Sequence, residues 1–91
     1  DIVNRITVRY QLRPLTKEQT RAYIDYQVGH HGGDPKIFDE LVKDQIHEFT
    51  GGNPRGINNA ALACLLQAAS LRSLRIDEAT FRQASHELHL N

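Results

Sequence analysis

Residues 5–13 alternate strictly between apolar and polar. Ile6, Val8, Tyr10 and Leu12 fall on one side, and Arg5, Thr7, Arg9, Gln11 and Arg13 on the other. That is the period of a half-buried β-strand. Pro14 closes the run, because it has no N–H to give to a ladder. No second strand-like run follows, and a single strand has no stability of its own. The strand is therefore expected either to pair with something outside this chain or to be the remnant of a preceding sheet.

After Pro14 the period becomes helical. Thr16-Lys17-Glu18-Gln19 reads as a capping box, the hydroxyl taking the third amide and the glutamine reaching back. Tyr23, Ile24, Gln27 and Val28 mark an inner stripe, and Gly29 is expected to end the helix before a turn-rich His30-His31-Gly32-Gly33. A second helix is predicted over about 39–50, where Leu41, Val42, Ile46 and Phe49 recur at helical spacing. Asp34-Pro35 could open it. Asp39 is the preferred cap, with a short turn at 35–37.

Gly51-Gly52 stops that helix, and Asn53-Pro54 starts another with a side-chain cap and a first-turn proline that needs no donor. This third helix runs to about Leu71. Ile57, Ala61, Cys64, Ala68 and Leu71 form its stripe, and Leu62, Leu65, Leu66 and Ala69 broaden it. So wide an apolar arc predicts a central helix packed on more than one side. Leu74-Arg75-Ile76 reads as an extended link. Asp77 caps a fourth helix over about 78–89, facing inward through Ala79 or Thr80, Phe81, Ala84 and Leu88. The expected fold class is all-α: a small four-helix domain over 15–91, preceded by one residual strand and linker at 1–14.

The 91 residues, 40% hydrophobic and 24% charged, suit one soluble domain with a modest core. No apolar run approaches the length of a membrane span, so no membrane insertion by this segment is expected. No basic and apolar leader opens the chain, and the lack of Met is expected of a piece cut from a longer protein. The single Cys64 excludes an internal disulfide and suits a reducing, cytoplasmic compartment.

Eleven basic and eleven acidic residues cancel, which argues against an overall footprint for nucleic acid or anionic lipid. The distribution is uneven. Arg5, Arg9, Arg13, Lys17 and Arg21 outnumber Asp1 and Glu18 in the first 21 residues, whereas Asp25, Asp34, Asp39, Glu40, Asp44 and Glu48 outnumber Lys36 and Lys43 in the next 29.

Arg55 is the candidate for chemistry. It lies in the first turn of the third helix, where a cation opposes the helix dipole by about 0.3–1 kcal/mol. A local rule broken beside a well-built cap suggests a functional reason. An anion would supply it, since free helix amides and an arginine fork together hold phosphate. A solvated arginine, or an ion pair with Glu48, is the competing account.

A second reading makes helix two, the glycine turn and helix three a helix-turn-helix. Arg55, Asn58 and Asn59 would then read bases, and Arg5, Arg9 and Arg13 would meet phosphates. The acids of helix two weigh against it. A third reading lets the strand face of Ile6, Val8, Tyr10 and Leu12 pair with a partner's sheet edge. No metal site is expected: His30-His31 and His86-x-x-His89 lack cysteine or carboxylate at ligand spacing. Cys64, amid Ala and Leu, reads as an inert core thiol.

The chain also resembles a known family. Arg5-Ile-Thr-Val-Arg-Tyr-Gln-Leu-Arg-Pro-Leu15, Tyr23-Ile24, Ile37-Phe38 and Gly52-Asn-Pro-Arg-Gly-Ile-Asn58 occur in an order and spacing similar to the C-terminal part of an AAA+ ATPase. The nearest branch holds ExeA-type secretion ATPases and transposition-helper ATPases. The resemblance implies that the strand is the last of a nucleotide-binding sheet and that the helices are the lid. It also implies that the Gly-x-Pro-Arg-x-Ile-Asn segment is the sensor-2 motif. Arg55 would reach the terminal phosphates of ATP, Pro54 would set the helix start that aims it, and Asn58 would steady that region. Leu12 and Leu15 would lie at the core-to-lid junction.

ATP and Mg²⁺ would be held mainly by the absent core, because no Gly-x-x-x-x-Gly-Lys-[Ser/Thr] occurs here. The fragment alone is thus expected to be inactive. Its implied partners are its own N-terminal core, further copies of the parent in a homo-oligomer, and DNA or a transposase.

Overall fold

The computed structural model describes residues 13–90. The strand predicted at 5–13 therefore lies outside the described residues except for Arg13, which is exposed.

Thr16 starts helix α1 (Lys17–His30) with the expected reciprocal cap. The Gln19 amide donates to Thr16 Oγ1 at 3.1 Å, and the Thr16 amide donates to Gln19 Oε1 at 2.9 Å. The helix runs past Gly29 and stops at His31, because Gly32, at φ 84°, makes the left-handed turn instead. A single 3₁₀ turn, Pro35–Ile37, follows, capped by Asp34 Oδ1 on the Lys36 amide.

Helix α2 (Glu40–Thr50) ends at left-handed Gly51. Helix α3 (Pro54–Ser70) starts with Asn53 Oδ1 accepting the Gly56 amide at 3.0 Å. Helix α4 (Glu78–Leu90) starts with Asp77 Oδ1 accepting both the amide and the hydroxyl of Thr80. Those bonds hold the Asp77 carboxyl below its ordinary value. The described part is thus all-α.

Asp39 stands at the N-cap of α2 as expected, its carbonyl accepting the Val42 and Lys43 amides, but its side chain makes no cap bond. It accepts instead from Arg75 on the far side of the domain. The two are neighbours because the 74–76 link pairs with the segment before α2. The Ile76 amide donates to Ile37 O at 2.7 Å, and the Asp39 amide donates to Ile76 O at 3.1 Å. This one parallel bridge seats Phe38 and Ile76 in the centre of the core, both essentially inaccessible.

Helix α3 packs against all three other helices, as its apolar arc implied. Its buried line is Ile57, Ala60, Cys64 and Ala68, joined by Leu15, Tyr23, Ile24, Val28, Val42, Ile46 and Ala84. Fully burying a side chain such as Ile57 stabilises by about 1.5–3 kcal/mol. The arc is not covered all round. Leu62 and Leu66 on α3, Leu71 at its C-cap, and Leu41 on α2 are each more than half exposed. Phe49 is also an outer residue, set edge-on to Phe81 at 5.9 Å between ring centres. Helices this short cover only one flank of each neighbour, so the edges of a wide stripe stay outside.

Helices α1 and α2 are joined by charge. Arg21 donates twice to Asp44, both bonds 2.7 Å, with Lys17 Nζ 3.7 Å from the same carboxylate. Lys43 is buried, its Nζ 2.5 Å from Asp25 Oδ1 and 2.7 Å from Glu40 Oε2. Burial lowers the pKa of this ammonium, but the hydrogen bonds to Asp25 and Glu40 outweigh that and leave it raised. The Arg21 bonds lower the pKa of Asp44.

Candidate functional site

The chain reverses between α2 and α3 through two successive glycines, Gly51 at φ 65° and Gly52 at φ 85°. They differ in their surroundings. A Cβ on Gly51 would meet nothing within 4 Å, whereas one on Gly52 would fall 2.2 Å from Leu15 O. The incoming backbone lies directly against the turn: the Leu15 amide donates to Gly52 O at 2.8 Å. The Leu15 carbonyl accepts from His47 Nε2 of α2 at 3.1 Å. A carbonyl cannot donate, so the proton lies on Nε2. Among the described residues, Nδ1 of the same ring is buried without a partner.

Thr50 closes the turn from below. Its hydroxyl donates to Ile46 O at 2.8 Å and accepts from the Gly52 amide at 3.3 Å. A Cβ on Gly56 would fall 3.2 Å from Thr50 Cβ, so the missing side chain lets the first turn of α3 rest on the end of α2.

This platform holds the sequence-predicted residues. Pro54 is buried and fixes the first helical φ. Arg55 is exposed, and among the described residues it makes no hydrogen bond or ion pair; the alternative pair with Glu48 is not formed. Asn53 takes the Gly56 and Ile57 amides through its side chain and carbonyl. Pro54 has no amide, so the Arg55 N–H is the first-turn donor left over. An unpaired guanidinium beside a free amide at a positive dipole end is chemically suited to an oxyanion.

Asn58 bonds across to another helix. Its Oδ1 accepts from Gln27 Nε2 at 3.2 Å, tying α3 to α1. Asn59 is exposed. For a base-reading role, Arg55 and Asn59 have no side-chain partner among the described residues, while Asn58 is engaged. Arg5 and Arg9 lie outside the described residues. A cavity of about 550 Å³ opens between α1 and α3, walled by Tyr23, Gln27, Val28, Ile57, Asn58 and Leu65.

The remaining candidates take ordinary places. Cys64 is buried, and burial pushes its thiol pKa up to about 12, far from a thiolate nucleophile. His30 stacks on Tyr26 at 5.5 Å and meets His31 edge-on at 5.3 Å. Among the described residues no group of three or more His, Cys, Asp or Glu could hold a metal ion, and no helix is long and apolar enough to cross a membrane. His47 was missed by sequence reasoning. A lone histidine on an amphipathic helix carries no local signal that a backbone carbonyl 32 residues earlier will seek its ring.

No protein-family model matches this chain, and no solved structure matches it significantly. It is 30% identical over 87 residues to general secretion pathway protein A of Aeromonas hydrophila. That alignment takes in 96% of this chain but 16% of the relative. The chain is therefore similar to one segment of a much longer protein of a general secretion pathway.

Proposed function

We propose that this domain is the helical lid of an AAA+ ATPase and that Arg55 is its sensor-2 arginine. The lid is joined to a nucleotide-binding core elsewhere in the parent protein, and the parent works as a homo-oligomer in secretion. The observation that carries the reading is the unpaired, exposed Arg55 on a rigid, dipole-opposed helix start. The similarity to a secretion-pathway protein supports the same reading.

When bound, ATP with Mg²⁺ supplies the phosphoryl group and the terminal-phosphate charge. This chain contributes a cation to that charge. Arginine suits the task because it stays protonated and can donate two bonds to phosphate oxygens. Pro54 and the Asn53 cap hold its backbone, so little is lost in ordering the site. A charge that forms or leaves at the phosphate then favours one lid angle over another.

The test is ATP binding and turnover by the parent protein, wild type against Arg55→Ala. Turnover is expected to fall by about a hundredfold, as when a transition-state charge contact is removed, with the fold intact by circular dichroism. Unchanged turnover, or a parent that does not bind ATP, overturns the reading. A steep salt-dependent affinity for DNA that Arg55→Ala abolishes would replace it with the base-reading alternative.

A further inference from the structure

We infer that His47 and Gly52 are positioning residues that lock the incoming chain to the start of α3, so that Leu15 and Arg55 move as one body. The functional half of this inference rests on the sensor reading of Arg55; the joint itself does not.

The geometry is a clamp on one residue. Leu15 is 2% exposed, and both of its backbone polar groups are bound, the amide to Gly52 O and the carbonyl to His47 Nε2. Gly52 is the one turn residue whose missing side chain makes room for this approach. From Gly52 the chain passes through Asn53 and Pro54 directly to Arg55. The turn on that route is closed by the Thr50 hydroxyl and the Asn53 cap, which leaves it no slack to absorb a movement. A pull on the chain before Leu15 is therefore delivered to the helix start that carries Arg55. The converse also holds: a force on Arg55 is felt at Leu15. Any hinge between this domain and what precedes it must therefore lie before Leu15.

The His47 ring is well chosen for this. Its Nε2 reaches across from α2 to a carbonyl far away in sequence, while Nδ1 is buried with no partner among the described residues. Two amide substitutions separate the roles. In His47→Gln the side-chain amide nitrogen takes the place of Nε2 and keeps the donor. In His47→Asn it takes the place of Nδ1, so polarity is kept and the reach is lost.

Both variants are made in the parent protein. Amide exchange is read residue by residue by electron-transfer fragmentation mass spectrometry, beside ATP turnover. In the wild type the Leu15 and Ile57 amides are expected to be protected together. His47→Asn should speed Leu15 exchange by roughly tenfold, the upper worth of one hydrogen bond, and His47→Gln should restore it. If Leu15 exchanges as fast as an exposed loop in the wild type, or if the two variants are alike, the joint does not exist.

On turnover, His47→Asn should lower kcat by about three- to tenfold with KM for ATP unchanged, and His47→Gln should stay near wild type. A merely structural role would instead lower the folded fraction and leave kcat per folded molecule alone. If Arg55→Ala is harmless, the sensor reading fails while the exchange data still decide the joint. If Arg55→Ala is damaging but the two His47 variants have equal kcat, the positioning role is overturned and the sensor reading stands.

Discussion

The seam between α1 and α2 and the start of α3 both carry charge, yet they use it in opposite ways. In the seam each cation has found its acid: Arg21 meets Asp44 through two bonds, and Lys43 is enclosed between Asp25 and Glu40. At the start of α3 the helix is capped, the turn is tight and the backbone is pinned, but Arg55 has no partner among the described residues. The first arrangement spends charge on holding two helices together. The second keeps a charge available on a scaffold rigid enough to aim it. Paired charge is a structural device; unpaired charge on an over-determined backbone is what a binding function requires.

The largest expected effect probes the scaffold. Gly52→Ala should cost about 3 kcal/mol, because the new Cβ would press on Leu15 at positive φ. Gly51→Ala should cost only about 1 kcal/mol, since it has the same backbone sign but open space around it. Thermal or urea denaturation of the two variants reads the difference, and equal losses would show that Leu15 does not lie against the turn.

The seam comes next. Lys43→Ala should cost about 2 kcal/mol by emptying a buried site. Lys43→Met should cost less than that, because it refills the site and the acids left behind, Asp25 and Glu40, are part-exposed and can be hydrated. Denaturation that ranks the two the other way would make the charge, rather than the packing, the stabilising part.

Acid and alkali should both attack the seam. The pKa of Asp44 is lowered in the folded state from an ordinary 3.8, so its contribution is complete above that value and fades as pH falls below it. The pKa of Lys43 is raised from 10.5, so its contribution is complete below that value and fades as pH rises above it. Stability profiles of Asp44→Asn and Lys43→Met should each flatten on the matching side, and a profile that keeps its slope would remove that group from the account.

The smallest stability effect belongs to Arg55 itself. Arg55→Glu should stabilise the domain by about 0.5 kcal/mol, since an acid suits a helix N-terminus and an arginine does not. A clear loss in the melting experiment would mean that Arg55 serves the fold, and the contrast between the two regions would collapse.

Much of this fold was legible because its signals are local. The Thr16–Gln19 box, the Asn53-Pro54 restart, the Asp77 cap and the Gly51-Gly52 stop each need only three or four adjacent residues. What the local pattern did not carry involved distance. Asp39 stands at the cap its neighbours imply, but its carboxylate turns to Arg75, which lies beside it in space. Asn58 bonds to Gln27 of α1, a contact that no local spacing shows. Leu41, Leu62 and Leu66 kept helical spacing yet lie outside, because periodicity marks a direction on a helix and not whether a neighbour lies there.

For the candidate site the division is the same. Sequence alone determined that Arg55 stands in the first turn of a capped helix, because the cap, the proline and the dipole are fixed by chain order. The tertiary structure decided that this turn is anchored. Gly52, Leu15 and His47 come together only when α2, α3 and the incoming chain are packed. A hydrogen bond between positions 32 residues apart leaves no mark on the local pattern of either.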